Sequence, residues 1–276
     1  HKLDGVEIAI DNSKCKQDKI CVMECPMQII TMKEGEFPEV SPKAESICIN
    51  CGHCVAVCPT GALSLTTMKA EDCDPIDKNW NPGVNVIENY FKARRSVRRF
   101  RKDNVEREKL EKLMEITAFA PSGHNSRPVE WIIYTEREKI KSLVSLVIQW
   151  MKSMEESSPE IAKSMHFDMI TKAWDFGIDV ITHNCPVLAI AHGKKSNPNT
   201  AAACSIALAH MELIAPSLGL GACWGGFFTW CAMTYGPLKE ALAMPEGNII
   251  QGTMLLGYPL FKYSRIPKRS ITIDWR

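Results

Sequence analysis

The chain has 276 residues, of which 45% are apolar and 24% charged, and its formal net charge is +1. These values are ordinary for a globular protein of one large or two smaller domains, which buries a sizeable core without help from disulfides. The near-zero charge argues against nucleic acid as a partner. With no apolar run of about 18 residues and no secretory signal pattern, we expect a cytoplasmic protein that neither spans nor binds a membrane.

Seven of the twelve cysteines lie within the first 58 residues, in two related motifs. The first motif is CKQDKICVMECP (residues 15–26), and the second is CINCGHCVAVCP (residues 48–59). When the two are aligned on their final Cys-Pro, Asp18 stands in the first motif where the second has Cys51. Clustered thiols in a chain without a secretory signal favour metal binding over disulfide pairing.

The second motif has the spacing C-x2-C-x2-C-x3-C-P, which is typical of iron–sulfur ligation. Structural zinc is the alternative, but zinc sites usually consist of separated C-x2-C pairs. Residues 5–67 resemble bacterial two-cluster ferredoxins, in which the fourth cysteine of each motif ligates the other cluster. The resemblance implies a crossed assignment. One 4Fe–4S cluster takes Cys25, Cys48, Cys51 and Cys54, and the other takes Cys15, Cys21 and Cys58 with Asp18 at the remaining corner.

Asp18 departs from the all-cysteine pattern. A carboxylate is a hard ligand and binds a ferrous corner less tightly than a thiolate does. We therefore expect the cluster at Cys15, Cys21 and Cys58 to be a 4Fe–4S cluster with a labile iron, or a 3Fe–4S cluster. In the alternative, Asp18 is merely solvated beside a missing corner.

Changes in composition along the chain predict two domains in an α+β protein. Residues 1–67 are the iron–sulfur domain with short β runs after each motif, residues 68–90 are a linker rich in Pro, Gly and Asn, and residues 91–276 are the larger domain. In the larger domain, periodicity predicts helices and strands in alternation. The helices are expected at 105–119, 136–156, 160–183 and 199–218, and the strands at 130–135, 186–193, ACWGGFF (222–228) and NIIQGTMLLGYP (248–259). The helix at 199–218 is nearly apolar all round and is expected to be central.

Four short motifs in this larger domain resemble the nitroreductase family. They are the arginine-rich run KARRSVRRFR (92–101), the loop APSGHNSRPVEW (120–131), GLGACWGGFF (219–228) after a long apolar helix, and the basic tail GYPLFKYSRIPKRS (257–270). A basic run alone usually indicates a solvated or nucleic-acid-binding face. However, Arg with Ser is also good phosphate chemistry, and the four motifs occur in the family's order.

The resemblance implies an α+β sandwich with a mixed sheet flanked by helices, and a domain-swapped homodimer with two FMN sites at the subunit interface. Carried over by position, the flavin-binding residues from one subunit are Arg94, Arg95, Ser96, Arg98, Lys268 and Arg269 around the phosphate and ribityl chain, and Gly225 and Gly226 near the flavin N5. The partner subunit would supply Pro121, Ser122, Gly123 and Asn125, and Arg127 would lie at the pyrimidine side of the flavin.

The sequence identifies no catalytic acid or base. Many relatives carry Glu where this chain has Gly225, so only a backbone contact is expected there. The histidines at 124, 166, 183, 192 and 210 are expected to be structural, and His124 in the flavin loop is the best catalytic candidate among them. Cys223 and Trp224 are expected to pack in the core, or to line the pocket. No G-x-G-x-x-G follows a strand, so a dedicated dinucleotide domain is not expected.

An iron–sulfur domain joined to an FMN domain suggests a converter between one-electron carriers and two-electron organic reduction. The leading hypothesis is an oxidoreductase that takes electrons from a ferredoxin-type donor protein and reduces a small planar acceptor such as a nitroaromatic or a quinone. The first alternative is a reductase fed by NAD(P)H, with the clusters as the exit. The second alternative is a redox sensor without turnover.

Overall fold

The computed structural model describes residues 5–276, so the first four residues of the predicted 1–67 domain lie outside its described part. The chain forms two compact units. The first unit contains the chain up to Pro82 together with Gly123–Ser126, and the second contains Gly83–Ser122 and Arg127–Arg276. The division between Pro82 and Gly83 falls inside the stretch that the sequence predicts as a linker, residues 68–90.

The first unit is small and built from short elements. In chain order these are β1 (Ile8–Ile10), α1 (Ile20–Glu24), β2 (Ile30–Thr31), β3 (Glu39–Val40), α2 (Ala44–Ile47), α3 (His53–Val57) and β4 (Leu63–Leu65). Strand β1 pairs antiparallel with β4, and β2 pairs antiparallel with β3. Val6, Ile30, Leu63 and Leu65 are almost fully buried and form the apolar centre of the unit with the thiols of Cys21 and Cys54.

The second unit is an α+β sandwich, as predicted. Its elements are α4 (Val84–Ala93), α5 (Arg107–Thr117), β5 (Glu130–Tyr134), α6 (Arg137–Ser157), α7 (Pro159–Ser164), α8 (Phe167–Asp175), β6 (Val187–Lys194), α9 (Thr200–Ile214), β7 (Gly221–Trp224), α10 (Gly226–Thr234), α11 (Gly236–Leu242) and β8 (Asn248–Gly257). The four strands lie in the order β5-β6-β8-β7, and all neighbours are antiparallel. Outside these strands, an isolated parallel bridge joins Ser96 to Ala222 of β7.

Both faces of this sheet are covered by helices, because successive side chains of a strand point to opposite faces. On β6, Leu188 and Ile190 pack against the apolar face of α6. The alternate residues Val187, Ala189 and Ala191 pack against α5 and α9 on the other face. An apolar run buried on both faces is why this strand has no polar alternation in the sequence.

Two predicted segments differ from the structure in their helices. Residues 84–93 belong to helix α4, whereas the sequence analysis placed 84–90 in a linker; none of the ten residues is buried within one chain. The single helix predicted at 160–183 is two helices, α7 and α8, followed by an irregular segment. The chain breaks at His166, which has a left-handed φ of 57°, and ends its helical path at Gly177 with φ of 78°.

Two further predictions need correction. Residues 226–228 begin helix α10 and do not extend strand β7. Helix α9 is not buried all round: Cys204, Leu208 and Met211 pack on the sheet, whereas Ser205 and Ile206 are exposed. Among the described residues, the stretch Thr200–Leu218 is the single helical segment whose length and composition would suit a membrane crossing. This is weak evidence, because a core helix of a water-soluble protein meets the same criterion.

Candidate functional site

The two cysteine motifs share a backbone conformation as well as a spacing. Equivalent positions of the two motifs lie 33 residues apart, so that Cys15 corresponds to Cys48 and Cys25 corresponds to Cys58. The left-handed positions repeat in the same register. They pair Gln17 with Asn50, Lys19 with Gly52, and Gln28 with Gly61. Helices α1 and α3 also correspond. Because the repeat is kept at the level of the backbone, Asp18 occupies the place that Cys51 holds in the second motif.

Electrostatic coupling shows which thiols lie near one another in the first group. Burial raises the pKa of Cys21, and the negative charges of Cys15, Asp18 and Cys58 raise it further. The Asp18 carboxylate accepts a hydrogen bond from the Ile20 N–H at 3.2 Å, and Asp18 is exposed. The structure therefore brings together the four side chains that were predicted as one ligand set.

The second predicted ligand set lines a small cavity. Cys25, Cys48, Cys51 and Cys54 line one small cavity together with Ile8, Ile29 and Leu65. Burial raises the pKa of Cys54 to about 11, with further contributions from Cys51, Cys25 and Cys48. Burial also raises the pKa of Cys48. Four soft thiols in an apolar cage are the donor set that a 4Fe–4S cluster requires, so these residues fit the predicted group.

Between residues 5 and 276, no three His, Cys, Asp or Glu side chains are arranged to hold a single metal ion. A tetrahedral zinc ion binds thiolates at about 2.3 Å and so draws its four sulfurs close together. A cuboidal cluster has its irons and sulfides between the thiolates and needs a wider cage. The choice between a cluster and zinc rests on the cysteine spacing, and the iron–sulfur assignment stays a prediction here.

The predicted phosphate residues line a cavity of about 560 Å³ in the second unit. Its walls are the end of α4 and the C-terminal tail, and they consist of Phe91, Lys92, Arg94, Arg95, Ile266, Pro267, Lys268 and Arg269. Five of these eight residues are cations, although they come from segments more than 170 residues apart in the chain. This is the chemistry that binds a phosphate, with guanidinium groups as bidentate donors. Lys92 was not among the predicted site residues, although it lies in the same basic run.

Arg94 has an acidic partner that the sequence analysis missed. Its guanidinium donates to Glu212 at 2.7 Å, and both side chains are mostly buried. The other carboxylate oxygen of Glu212 accepts from the indole N–H of Trp224 at 3.0 Å. Arg95 instead donates to the main-chain carbonyls of Lys92 and Arg94. Glu212 thus holds the Arg94 side chain in position, and Trp224 is 40% exposed and not packed in the core.

Ser96 and Arg98 are not among the residues that line the basic cavity. The segment around them runs beside β7, where the Val97 N–H donates to the Ala222 carbonyl at 2.9 Å. The buried Val97 side chain fills the space over Gly221, where an added Cβ would lie 2.6 Å from a Val97 methyl group. Arg98 is exposed. The flavin roles of Ser96 and Arg98 therefore remain predictions.

The loop from Pro121 to Arg127 has a strained backbone. His124, Asn125 and Arg127 have φ of 52°, 49° and 39°, a region that residues other than Gly seldom adopt. The Ser122 hydroxyl accepts a hydrogen bond from the Arg127 N–H at 2.9 Å and closes the turn.

Residues 123–126 of this loop belong to the first unit. There the Asn125 amide donates to the carbonyls of Ile49 at 3.2 Å and Asn50 at 2.7 Å. Asn50 lies between two of the predicted cluster cysteines. The Asn125 amide is thus engaged by a cluster loop, and its predicted contact with a partner's flavin stays a prediction, as do those of Pro121, Gly123 and Arg127.

Gly225 has no room for a side chain such as the Glu that the family resemblance leads one to expect at this position. A Cβ at this position would lie 2.3 Å from the hydroxyl oxygen of Thr253, so a side chain does not fit. The Gly225 N–H donates to the Thr253 carbonyl at 3.0 Å and is not free to meet a flavin. Gly226 differs, because it begins α10, where N–H groups have no partner inside the helix. Of the two predicted contacts to N5, the structure favours Gly226.

We expect Gly225→Ala to lower the free energy of unfolding by about 1–3 kcal/mol, because the new methyl group collides with Thr253. Thermal and denaturant unfolding of the flavin-loaded protein would measure this change. Gly236→Ala is the matched control, since Gly236 begins helix α11 outside the flavin site and nothing lies within 4 Å of its added Cβ, and it should be neutral or stabilising. Equal losses for the two variants would show that crowding by Thr253 is not the reason for the glycine.

Four cysteines of the second unit are core residues. Burial raises the pKa of Cys185, Cys204 and Cys231 to about 12, and it also raises the pKa of Cys223. Burial likewise lowers the pKa of His192, whose ring hydrogen-bonds Asn248 at 2.9 Å, in keeping with a structural role. By contrast, Cys73 is exposed.

Alkylation should separate these classes of thiol. At pH 8, a thiol of pKa 12 is ionised to about one part in 10⁴, so iodoacetamide should modify Cys73 within minutes and spare Cys185, Cys204 and Cys231. The cluster cysteines should react only after a chelator and an oxidant have removed the iron. Peptide mass spectrometry would measure each site, with Cys73→Ser as the control. Rapid labelling of Cys204 in the native protein would contradict the assigned core.

Comparisons with known proteins match each of the two units to a different family model. The nitroreductase family model matches residues 91–258, and the model of the 4Fe–4S dicluster domain matches residues 13–62. Over 170 residues, the chain is 24% identical to an Archaeoglobus fulgidus protein named for NADH dehydrogenase or NAD(P)H nitroreductase activity, a match that covers 60% of this chain and 82% of that protein.

Two further similarities concern one unit each. The chain is 34% identical over 70 residues to NADH-quinone oxidoreductase subunit I 2 of Geobacter metallireducens, which covers 23% of this chain and about half (53%) of that protein. A crystal structure of a Bacteroides fragilis nitroreductase with bound FMN aligns with a TM-score of 0.56 at 23% identity, over 70% of this chain and all of that one. This likeness shows a shared fold. The chain therefore belongs to the nitroreductase family, carries a 4Fe–4S dicluster domain ahead of the nitroreductase domain, and is an oxidoreductase.

Proposed function

We propose that the chain is an FMN- and iron–sulfur-dependent oxidoreductase that passes electrons between a one-electron donor of ferredoxin type and a planar organic acceptor. The observation that carries the proposal is the basic cavity of the nitroreductase unit, where Arg94 and Arg95, which directly follow α4, line the same walls as Lys268 and Arg269 of the tail. A chain that also contains a dicluster domain combines one-electron carriers with a site suited to a flavin phosphate.

The residues of the cavity fit FMN by their charge. The four predicted cations would bind the phosphate, and Lys92 would add a fifth positive charge to the same walls. Glu212 would orient Arg94, since it already accepts one of its N–H groups. When bound, FMN accepts electrons singly or in pairs, which is the chemistry that the clusters cannot supply alone. Gly226 would present its N–H beside the flavin. No side chain of the chain is assigned as a proton donor.

Anaerobic purification followed by steady-state assays would test this function. We expect bound iron, acid-labile sulfide and FMN in the same preparation, and reduction of a quinone or nitroaromatic when reduced ferredoxin is the donor. Zinc in place of iron, or a second unit that does not bind FMN, would contradict the proposal.

The second candidate is entry of electrons from NAD(P)H at the flavin, with the clusters as the exit to a partner. The names of the Archaeoglobus and Geobacter relatives favour it, since both refer to NADH or NAD(P)H. Spectral reduction by NADPH alone, compared with reduced ferredoxin alone, separates the two directions. Fast bleaching by NADPH and none by ferredoxin would favour the second candidate.

Asp18 is proposed as the fourth ligand of the cluster at Cys15, Cys21 and Cys58. Its exposed carboxylate stands at the position of Cys51 in the repeat and adds to the charge around Cys21. A carboxylate corner should lose its iron first. Mild oxidation should therefore give the electron paramagnetic resonance signal of a 3Fe–4S cluster in the native chain, and less of it in Asp18→Cys. The absence of this signal, with a spectrum unchanged by the substitution, would contradict a labile corner.

We further propose a cytoplasmic homodimer that forms through the nitroreductase unit. Helix α4 has no buried residue, and the tail exposes Phe261, Ile271 and Trp275. A second copy that covers both segments would remove this apolar surface from water. Sedimentation of the FMN-loaded protein tests the dimer, and a monomer at micromolar concentration would contradict it. We also propose the domain limits 1–67 and 91–276, with residues 68–90 as the connection.

A further inference from the structure

The second unit has another cavity, of about 720 Å³, that shares no residue with the basic cavity next to α4. Its walls are the segment from Arg99 to Lys102, the N-terminal turn of α6, and the irregular segment from Gly177 to Asn184. The sequence analysis included Arg99, Phe100 and Arg101 in the basic run 92–101 but named none of them as a binding residue, and it expected His183 to be structural. A cavity of this size accommodates a molecule as large as a nucleotide.

The irregular segment is held in shape by one buried carboxylate. Asp179 accepts hydrogen bonds from the N–H groups of Ile181 and Thr182 at 2.8 Å and of Asn184 at 3.0 Å, and also from the Thr182 hydroxyl. Both of its oxygens are therefore used inside the segment. Among the described residues, Asp179 forms no ion pair with the cations of the opposite wall.

The opposite wall carries the basic side chains. Arg99, Arg101 and Lys102 are exposed, and no carboxylate is paired with them among the described residues. Arg137 also lines the cavity, but its guanidinium donates to the carbonyls of Asn184, Arg101, Lys102 and Asp103, so it fastens the two walls together. Three cations thus line one cavity without an acid paired to them in the part of the chain that the structure describes.

His183 adds an independent observation. Its Nδ1 atom is buried and has no hydrogen-bond partner, one of two such side-chain atoms among the described residues. The residue has a left-handed φ of 55° and is followed by Asn184 with φ of 53°. Burial lowers the pKa of His183; the Asp179 charge opposes this shift, and Arg98 and Arg99 add to it, so the net direction is downward and the imidazole is uncharged at neutral pH. Buried polar atoms normally have a partner, and strained residues often accompany binding sites.

We propose that this cavity binds the phosphate group of a nucleotide-sized phosphomonoester, with Arg99, Arg101 and Lys102 as the cationic wall and His183 as a neutral partner. A phosphate would supply the missing counter-charge and lie within reach of the imidazole. The remaining volume, bordered by Phe100 and Ile178, would contain the apolar part of the molecule. This site is independent of the proposed flavin and clusters.

Calorimetric titration of the holoprotein, saturated with FMN, tests the proposal. The probes are adenosine 2′,5′-bisphosphate, adenosine, and inorganic phosphate. We expect saturable binding of the bisphosphate, at least tenfold weaker binding of inorganic phosphate, and none of adenosine. The double variant Arg101→Ala/Lys102→Ala should weaken the bisphosphate at least tenfold. Both side chains are exposed, so the variant should fold. The control is Lys141→Ala on the exposed face of α6, which should change nothing.

A second measurement uses the imidazole nitrogen resonances of His183 in the labelled protein. They should shift on saturation with the bisphosphate, and those of His192 should not. The proposal would be overturned if no saturable binding were detected up to about 10 mM bisphosphate, a concentration that would reveal even a millimolar dissociation constant. Equal affinities for the bisphosphate and inorganic phosphate would also overturn it. So would equal affinities of the double variant and the native chain for the bisphosphate. Flavin and cluster absorbance, recorded on the same samples, shows separately whether the redox function is intact.

Discussion

Replacement of Cys25 by Ser should empty the iron site formed by Cys48, Cys51 and Cys54, although Cys25 belongs to the other motif. In the proposed crossed assignment, the fourth thiolate of each cluster comes from the other half of the repeat. The variant should lose about half of its iron, because only one of two clusters is affected. The remaining electron paramagnetic resonance signal should be that of the cluster at Cys15, Cys21 and Cys58.

The reciprocal variant makes this prediction specific. Cys58→Ser should affect the cluster of Cys15 and Cys21 and leave the other signal unchanged. Cys73→Ser is the control, since this exposed thiol takes part in neither group, and it should keep all of the iron. If Cys25→Ser instead removed the signal assigned to Cys15 and Cys21, the clusters would be uncrossed and the assignment would be wrong. Because each cluster joins both halves, either variant should also lower the melting temperature of the first unit.

The largest effect on the second unit is expected from its phosphate-binding cations. Lys268→Ala/Arg269→Ala should weaken FMN binding by about two to four orders of magnitude, if each charged hydrogen bond contributes about 1.5–3 kcal/mol. Arg94→Ala should also weaken FMN binding, but this change removes the ion-pair partner of the mostly buried Glu212 as well. The tail variant is therefore the cleaner test, and fluorescence of released flavin measures the dissociation constant.

Riboflavin provides an internal reference, because it lacks the phosphate. The tail variant should bind riboflavin as the native chain does and lose only the preference for FMN. Arg265→Ala is the matched control, as Arg265 lies in the same exposed tail but does not line the cavity. Equal losses for Arg265→Ala and the double variant would mean that the tail acts through its net charge and not through contact with the phosphate.

The elements predicted well from the sequence are those whose signal is local. Strand β5 and helix α6 follow directly from their apolar period, and the cysteine spacing indicates iron–sulfur ligation without any knowledge of the fold. The errors have physical causes. Helix α4 has an apolar stripe but buries nothing within one chain. The predicted helix at 160–183 breaks at His166 and ends before Gly177, both of which have a left-handed φ, and Asp179 then bonds the backbone of the irregular segment that follows.

The basic cavity was predicted only in part, because residue types can be read from the sequence but contacts between distant segments cannot. Basic residues near position 94 and near position 268 indicate phosphate binding by their residue types. That they line the same cavity depends on the fold, which the sequence motifs do not show. Glu212 was missed because it is a single acid in an apolar helix, and its bond to Arg94 spans 118 residues. The crowding at Gly225 depends on Thr253 in another strand. No sequence pattern reports such contacts between distant segments.

The central claim is that electrons pass between the iron–sulfur domain and the flavin of the same polypeptide. Anaerobic stopped-flow mixing with a stoichiometric one-electron donor tests it most directly, with cluster and flavin absorbance followed separately. The account predicts that cluster bleaching precedes flavin bleaching, and that Cys25→Ser slows the second phase without releasing FMN. Clusters that are reduced while the bound flavin stays oxidised, in the native chain, would contradict it.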